Sequence, residues 1–308
     1  MNDMPFLGKP VPFPPLRKEK KHETAEKKEN ESFFCEPRTP RYKYEDLILP
    51  SSVLHELDTL QSMIQNHDLV YKTWGMIKND PYGDQTAFNL YGPPGTGKTM
   101  IVEALCNRWG KKLIDINLSQ LESKYVGETG KNIVKAFTAA KETDAVLFFD
   151  EADTVLGKRL SNVTQSADSS VNTARGVMLK QLEQHKGIVA FATNFAQNYD
   201  PAFVRRILKH IHIPLPDPEN RMKLWQSKIP SLAPGKQNID FAELSRESEG
   251  LSGGDILVAV KNALFDAARS DERILSQGVF LRAVISVKKS KESVGRSSAV
   301  SESKKELL

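Results

Sequence analysis

Gly92-Pro93-Pro94-Gly95-Thr96-Gly97-Lys98-Thr99 follows the apolar run Ala87–Tyr91 and precedes a helical pattern. Strand, glycine-rich turn and helix, in that order, are the setting that the phosphate-loop pattern G-x-x-x-x-G-K-[ST] requires. The glycines let the backbone curl until its N–H groups point at an anion, and the helix N-terminus adds a favourable dipole. Lys98 is placed to reach the β- and γ-phosphates of a nucleoside triphosphate, and the Thr99 hydroxyl to hold Mg²⁺. The competing reading is a glycine-rich turn with no ligand.

Outward from this loop, apolar runs of strand length alternate with helical patterns. The candidate strands are Ala87–Tyr91, Lys112–Asn117, Ala145–Phe149, Gly187–Thr193 and Lys209–Ile213. The expected fold is therefore α/β: a three-layer αβα domain on a five-stranded parallel sheet, spanning 42–215. After the loop, Ile101, Leu105 and Trp109 give the helix an inward stripe, and Gly110 stands where a left-handed cap would end it. Pro214, Pro216 and Pro218 close the sheet region, since proline suits neither a ladder nor a helix interior. Residues 216–287 have helical periodicity and read as a small helical lid domain. The proline-, lysine- and glutamate-rich arm 1–41 and the Lys/Ser-rich tail 288–308 read as disordered. Phe6, Leu7, Phe13 and Leu16 lie among the prolines of that arm, either as an extended docking peptide or as parts of a plain flexible segment.

Charge is unevenly spread. The net charge is +4, but the arm and tail together carry the positive excess and leave the body near neutrality. Such a body gives no support to nucleic acid as a direct substrate. No run of eighteen apolar residues occurs, and the start of the chain lacks the charged-then-apolar pattern of a signal peptide. A cytoplasmic location with no membrane association is expected. Cys35 and Cys106 lie far apart and form no CxxC pair, which suits a reducing compartment, and Cys106 reads as a small buried apolar group. His210 and His212 fall on one strand face with no third ligand, so packing is favoured over metal binding.

A phosphate loop alone binds nucleotide; hydrolysis also needs a metal partner and a base. Ala145-Val146-Leu147-Phe148-Phe149-Asp150-Glu151 is an apolar strand ending in two carboxylates at its C-terminal edge, where ligands of such sheets sit. Asp150 is placed to complete a Mg²⁺ shell, and Glu151 to accept a proton from an attacking water. An acidic helix N-terminus would look similar. Behind an intact phosphate loop, ATP hydrolysis with Mg²⁺ is the expected chemistry.

With Gly92–Thr99 and Phe148–Asp153 both present, the sequence resembles the AAA ATPases over residues 42–287. The strand Ile188–Asn194 ends like the family's first sensor, which implies that Asn194 orients the lytic water. Asp200-Pro201-Ala202-Phe203-Val204-Arg205-Arg206 is similar to the arginine-finger segment, so Arg205 and Arg206 are implied to act on a neighbouring subunit's phosphate, and the chain to form a homo-oligomer, a hexameric ring. Ile207 stands where many relatives have Phe. Leu251-Ser252-Gly253-Gly254-Asp255-Ile256 resembles the nucleotide-sensing helix start and implies Gly254 at the nucleotide; it carries no second-sensor arginine.

Ser123–Thr129 resembles the first pore loop of ring translocases. There Lys124, Tyr125 and Val126 would grip an extended polypeptide by packing, without sequence readout. The resemblance implies an ATP-driven chaperone that unfolds, disassembles or remodels a partner protein. The run from Ser123 to Lys131 is also similar to the pachytene-checkpoint type that opens HORMA-domain proteins, bacterial counterparts of which regulate anti-phage signalling, an antiviral defence. Two alternatives stay open: a slow nucleotide-dependent switch or scaffold, and a sporulation-type bacterial AAA chaperone with another partner.

Overall fold

The computed structural model describes residues 35–80, 86–117, 128–157, 166–194 and 199–305. The arm as far as residue 34 and the expected pore loop, Lys124, Tyr125 and Val126, lie outside them.

A parallel sheet contains β1 (Thr86–Tyr91), β2 (Leu113–Asn117), β3 (Val146–Asp150), β4 (Ile188–Thr193) and β5 (Lys209–His212), in the order β2-β3-β4-β1-β5. These are the expected strands, with ends shifted by one residue at most. The buried side chains of β1, β3 and β4 are mostly apolar on both faces because helices cover both, the usual state of a parallel sheet. The helices of this part are α1 (Ser51–Gln65), α2 (Lys98–Arg108), α3 (Glu128–Thr143), α4 (Asp153–Leu156), α5 (Ser166–Gln184) and α6 (Pro201–Val204). On one face Leu57 and Leu60 of α1 and Ile101 and Leu105 of α2 meet Phe88, Phe148 and Ile211. On the other, Phe137 of α3 packs 5.8 Å from Phe149, which stacks at 5.5 Å on Phe191.

α2 buries more than the expected stripe. Val102, Glu103, Ala104 and Cys106 are buried as well, because Tyr44, Leu47 and Leu49 of the preceding segment pack against the same core. Gly110 ends the helix at φ +66°, as its position in the sequence indicates. The segment 35–41, which composition alone assigns to a disordered arm, is instead fastened to the sheet edge. Arg38 exchanges backbone hydrogen bonds of 2.8 and 2.9 Å with Leu113, and its guanidinium donates to Glu103 at 2.9 Å and Asp115 at 3.0 Å. Charge composition hides this, since a single bridge and one buried carboxylate are enough to hold the segment.

Beyond the sheet come α7 (Pro218–Lys228), α8 (Phe241–Glu247), α9 (Gly253–Arg269) and α10 (Gln277–Lys305). Asp217 caps α7 with Pro218 in the first turn, and Ser252 and Asp255 form a reciprocal capping box on α9. These helices share a second apolar core, in which Trp225 stands edge-on to Phe280 at 5.9 Å and donates its indole N–H to Ser248 Oγ at 3.0 Å. α10 continues past Val287, the expected end of the helical region, to Lys305. The basic stretch contains no proline and is supplied with Lys and Glu, both good helix formers, and Lys291 reaches Asp255 at 2.7 Å. No helix among the described residues is long and apolar enough to cross a membrane.

Candidate active site

The loop 92–99 takes its shape from glycines at two kinds of contact. Gly92 lies so close to β5 that a Cβ would sit 2.1 Å from the Ile213 carbonyl oxygen. Gly95, at φ +76°, passes under the start of α9, where a Cβ would sit 2.5 Å from Ser252 Oγ. Only glycine tolerates this backbone and this proximity together. The Gly254 N–H donates to Gly95 O at 2.9 Å, so the C-terminal helices close directly onto the phosphate loop.

α2 opens at Lys98, which is 8 % exposed. Its ammonium donates to Gly92 O at 2.8 Å, Pro93 O at 3.0 Å and Asn194 Oδ1 at 2.9 Å. Burial pulls its pKa below the usual lysine value, and nearby Asp150 and Asp153 oppose that pull. All three acceptors are neutral oxygens, so a buried cation is held without a carboxylate in direct contact, an arrangement that favours an incoming anion.

Beside it, Thr99 donates its hydroxyl to Asp150 Oδ2 at 2.8 Å, and Asp150 Oδ1 accepts the Glu151 N–H at 2.9 Å. Glu151 adopts φ +54°, a left-handed backbone that costs a residue with a Cβ about 1–3 kcal/mol and occurs preferentially at functional sites. Its carboxylate accepts from Asn117 Nδ2 at 3.3 Å. Asn117 ends β2 as Asn194 follows the end of β4, and sequence reasoning passed over it. The available signal was a polar amide at the C-terminal edge of a parallel strand.

These groups line one end of a cleft of about 540 Å³. Its other walls combine apolar side chains, Leu47, Ile48 and Leu49 ahead of α1 with Leu224 and Leu257 from the C-terminal helices, and the charged Arg41, Asp46, Glu103 and Lys228. A cationic, hydroxyl- and carboxylate-bearing end joined to a wall that mixes leucine and isoleucine side chains with polar ones matches a molecule with phosphates at one end and a flat base at the other. Mg²⁺ also fits, since Thr99 and Asp150 present adjacent hard oxygen donors. The apolar wall ahead of α1 was likewise missed, because it contributes shape and no chemically distinctive side chain.

The structure separates the two arginines. α6 is capped by Asp200, whose Oδ1 accepts from Ala202 N at 2.9 Å. Arg206 turns back into its own chain, donating to Ala202 O at 2.8 Å and pairing with Glu183. Arg205 is exposed and has no side-chain hydrogen bond or ion pair among the described residues.

The residues set aside by sequence behave as packing groups. The Cys106 thiol is buried and pushed up to about 12 by that burial. His212 packs against Tyr91 and His210 stacks on Tyr199.

Sheet order, loop and carboxylate edge together define a nucleotide-binding α/β domain of the P-loop class. Residues 88–215 match the family described as "ATPase family associated with various cellular activities (AAA)", and the chain carries a domain of that family. It is similar to "Protein SUPPRESSOR OF K(+) TRANSPORT GROWTH DEFECT 1" of Arabidopsis thaliana, with 32% identity covering 60% of this chain and 43% of the relative. It is similar to the "Proteasome-activating nucleotidase" of Methanopyrus kandleri, with 33% identity over 66% of this chain and 48% of the relative. A third relative is "Vacuolar protein sorting-associated protein 4B" of Pongo abelii, at 33% identity over 58% and 41% respectively. The matched region spans less than half the length of each of these relatives.

Proposed function

We propose that this protein hydrolyses ATP with Mg²⁺ at the interfaces of a homo-oligomeric ring and uses the energy to remodel a partner polypeptide. The observation that carries the reading is the convergence of Lys98, Thr99, Asp150, Glu151 and Asn194 on one cleft end, while Arg205 stands exposed with no side-chain partner among the described residues. Mg²⁺, when bound, would supply charge neutralisation for the phosphate groups. Lys98 trades its carbonyl contacts for phosphate oxygens, drawn by the counter-charge that its own surroundings withhold. Thr99 and Asp150 would hold the metal. Glu151 takes the proton of the attacking water, and Asn194, 2.9 Å from Lys98, orients that water. Arg205 adds its charge to the phosphate end of the next subunit's cleft.

The proposed substrate is protein. The resemblance of 123–129 to a pore loop supports this, and one relative's name, proteasome-activating nucleotidase, points the same way. Tyr125 and Val126, with Lys124, are the proposed grip. A hexameric ring in the cytoplasm is the proposed assembly. A HORMA-domain protein in anti-phage signalling is the proposed partner, resting on the similarity of 123–131 to the pachytene-checkpoint type.

Glu151→Gln tests the chemistry. Nucleotide binding should persist while turnover falls about 10²–10⁴-fold, the usual contribution of a general base. Near-normal turnover in that variant would remove Glu151 from the role. Captured partners of the ATP-loaded Glu151→Gln protein then test the substrate: a HORMA-domain protein would support the narrow reading, and a different protein alone would refute it.

A further inference from the structure

Asn89 lies in the middle of β1, three positions before the phosphate loop, and is 0% exposed. Its strand neighbours Phe88 and Leu90 are buried apolar side chains. Asn89 Nδ2 donates to Tyr199 Oη at 3.0 Å and lies 3.4 Å from His210 Nδ1. Its Oδ1 is buried with no hydrogen-bond partner among the described residues. An orphaned buried acceptor costs about 1–3 kcal/mol, so an apolar residue would serve the strand better, and the amide calls for an explanation other than stability.

Its partners supply one. Tyr199 stacks on His210 with ring centroids 5.8 Å apart, pairs through its backbone with Gly157, and immediately precedes Asp200, the cap of α6. The Tyr199 hydroxyl also meets Thr193, the residue before Asn194. The His210 ring meets the backbone of Val204, the residue before Arg205. One polar cluster, buried at Asn89 and half-buried at Tyr199 and His210, thus touches the strand that feeds the phosphate loop, the strand end that carries Asn194, and both ends of the short helix that presents Arg205.

We infer that Asn89, Tyr199 and His210 are positioning residues that fix α6 against β1, so that the angle at which Arg205 leaves the subunit is set by the strand that carries the phosphate loop. This rests on the proposed role of Arg205. Steady-state ATP hydrolysis by the full chain tests it, using Tyr199→Phe, which keeps the ring stack and deletes one hydroxyl, and Asn89→Val, which suits a buried strand. In each, kcat should fall about tenfold, the scale of one positioning hydrogen bond, with KM for ATP unchanged. The thermal midpoint of Asn89→Val should match or exceed that of the unaltered protein, which separates the loss from unfolding. In an Arg205→Ala background, Tyr199→Phe should have no further effect on kcat. Unaltered turnover in both single variants, a change confined to KM, or losses of Tyr199→Phe and Arg205→Ala that multiply would overturn the clamp alone. Full turnover in Arg205→Ala would overturn the clamp and the arginine reading together.

Discussion

At the phosphate end of the cleft each polar group is answered within the chain: Lys98 by Asn194, Thr99 by Asp150, Glu151 by Asn117. At α6 the opposite holds, since Arg205 projects from a capped turn with no side-chain partner among the described residues. An exposed arginine is ordinary, but this one leaves a turn anchored at both ends, beside a second arginine that is bound to Glu183. On the proposed reading, the contrast is between a half-site finished within one subunit and a half-site left open. That is the arrangement expected of a heterologous contact, in which one surface of a subunit meets a different surface of the next.

The largest expected effect separates the two arginines. Arg205→Ala should lower turnover about 10³–10⁵-fold if its charge acts on the transferring phosphoryl group. Arg206→Ala should lose far less turnover and some thermal stability, because it gives up its bonds to Glu183 and Ala202. Mixing Arg205→Ala with Lys98→Ala subunits, each inactive alone, should restore part of the activity, since some interfaces then hold an intact cleft opposite an intact arginine. Equal losses from both arginine variants would break the distinction. Absence of recovery in verified mixed oligomers would show that Arg205 does not act between chains.

The two regions also differ in how they can be read from sequence. Strand-length apolar runs locate the sheet because both of its faces are covered, and the glycines at 92 and 95 announce a backbone that nothing bulkier could follow. What escaped notice is long-range pairing. Glu103 looks like a solvent-facing residue on α2 until Arg38, 65 positions away, is laid over it. Asn117 and Glu151 are separated by 34 positions, and only the register of β2 beside β3 makes them neighbours. Arg205 and Arg206 are chemically identical in sequence, and only the location of Glu183 on α5 tells them apart.

The next prediction concerns how firmly the finished half-site is braced. Burial pushes the Glu103 carboxyl up, but the bonds it accepts from Arg38 and the Arg41 N–H more than reverse this and leave it below its usual value. A lowered folded-state pKa means stability that is present above the ordinary carboxylate range and lost as pH falls through the folded-state value. Glu103→Gln should therefore cost about 1–3 kcal/mol near neutrality. The difference should close on acidification, as the unaltered protein takes up the proton. Thermal midpoints of the two proteins measured from about pH 7 down to about pH 3 check this. A constant gap across that range would mean that Glu103 contributes shape and no charge.

The smallest expected effect lies on Asn117. Its bond to Glu151 is long, 3.3 Å, and such a contact contributes about 0.5–1.5 kcal/mol. A donor on the ionised carboxylate makes Glu151 a weaker base, so the bond favours the resting arrangement. Asn117→Ala should then raise basal turnover by about two- to tenfold, the kinetic equivalent of that energy, without changing nucleotide affinity. A fall in turnover would mean that Asn117 holds Glu151 in its working position, and the phosphate end would be poised for reaction before any neighbour arrives. A rise would mean that even the finished half-site is kept at rest, and that completing the open one at Arg205 has something to release.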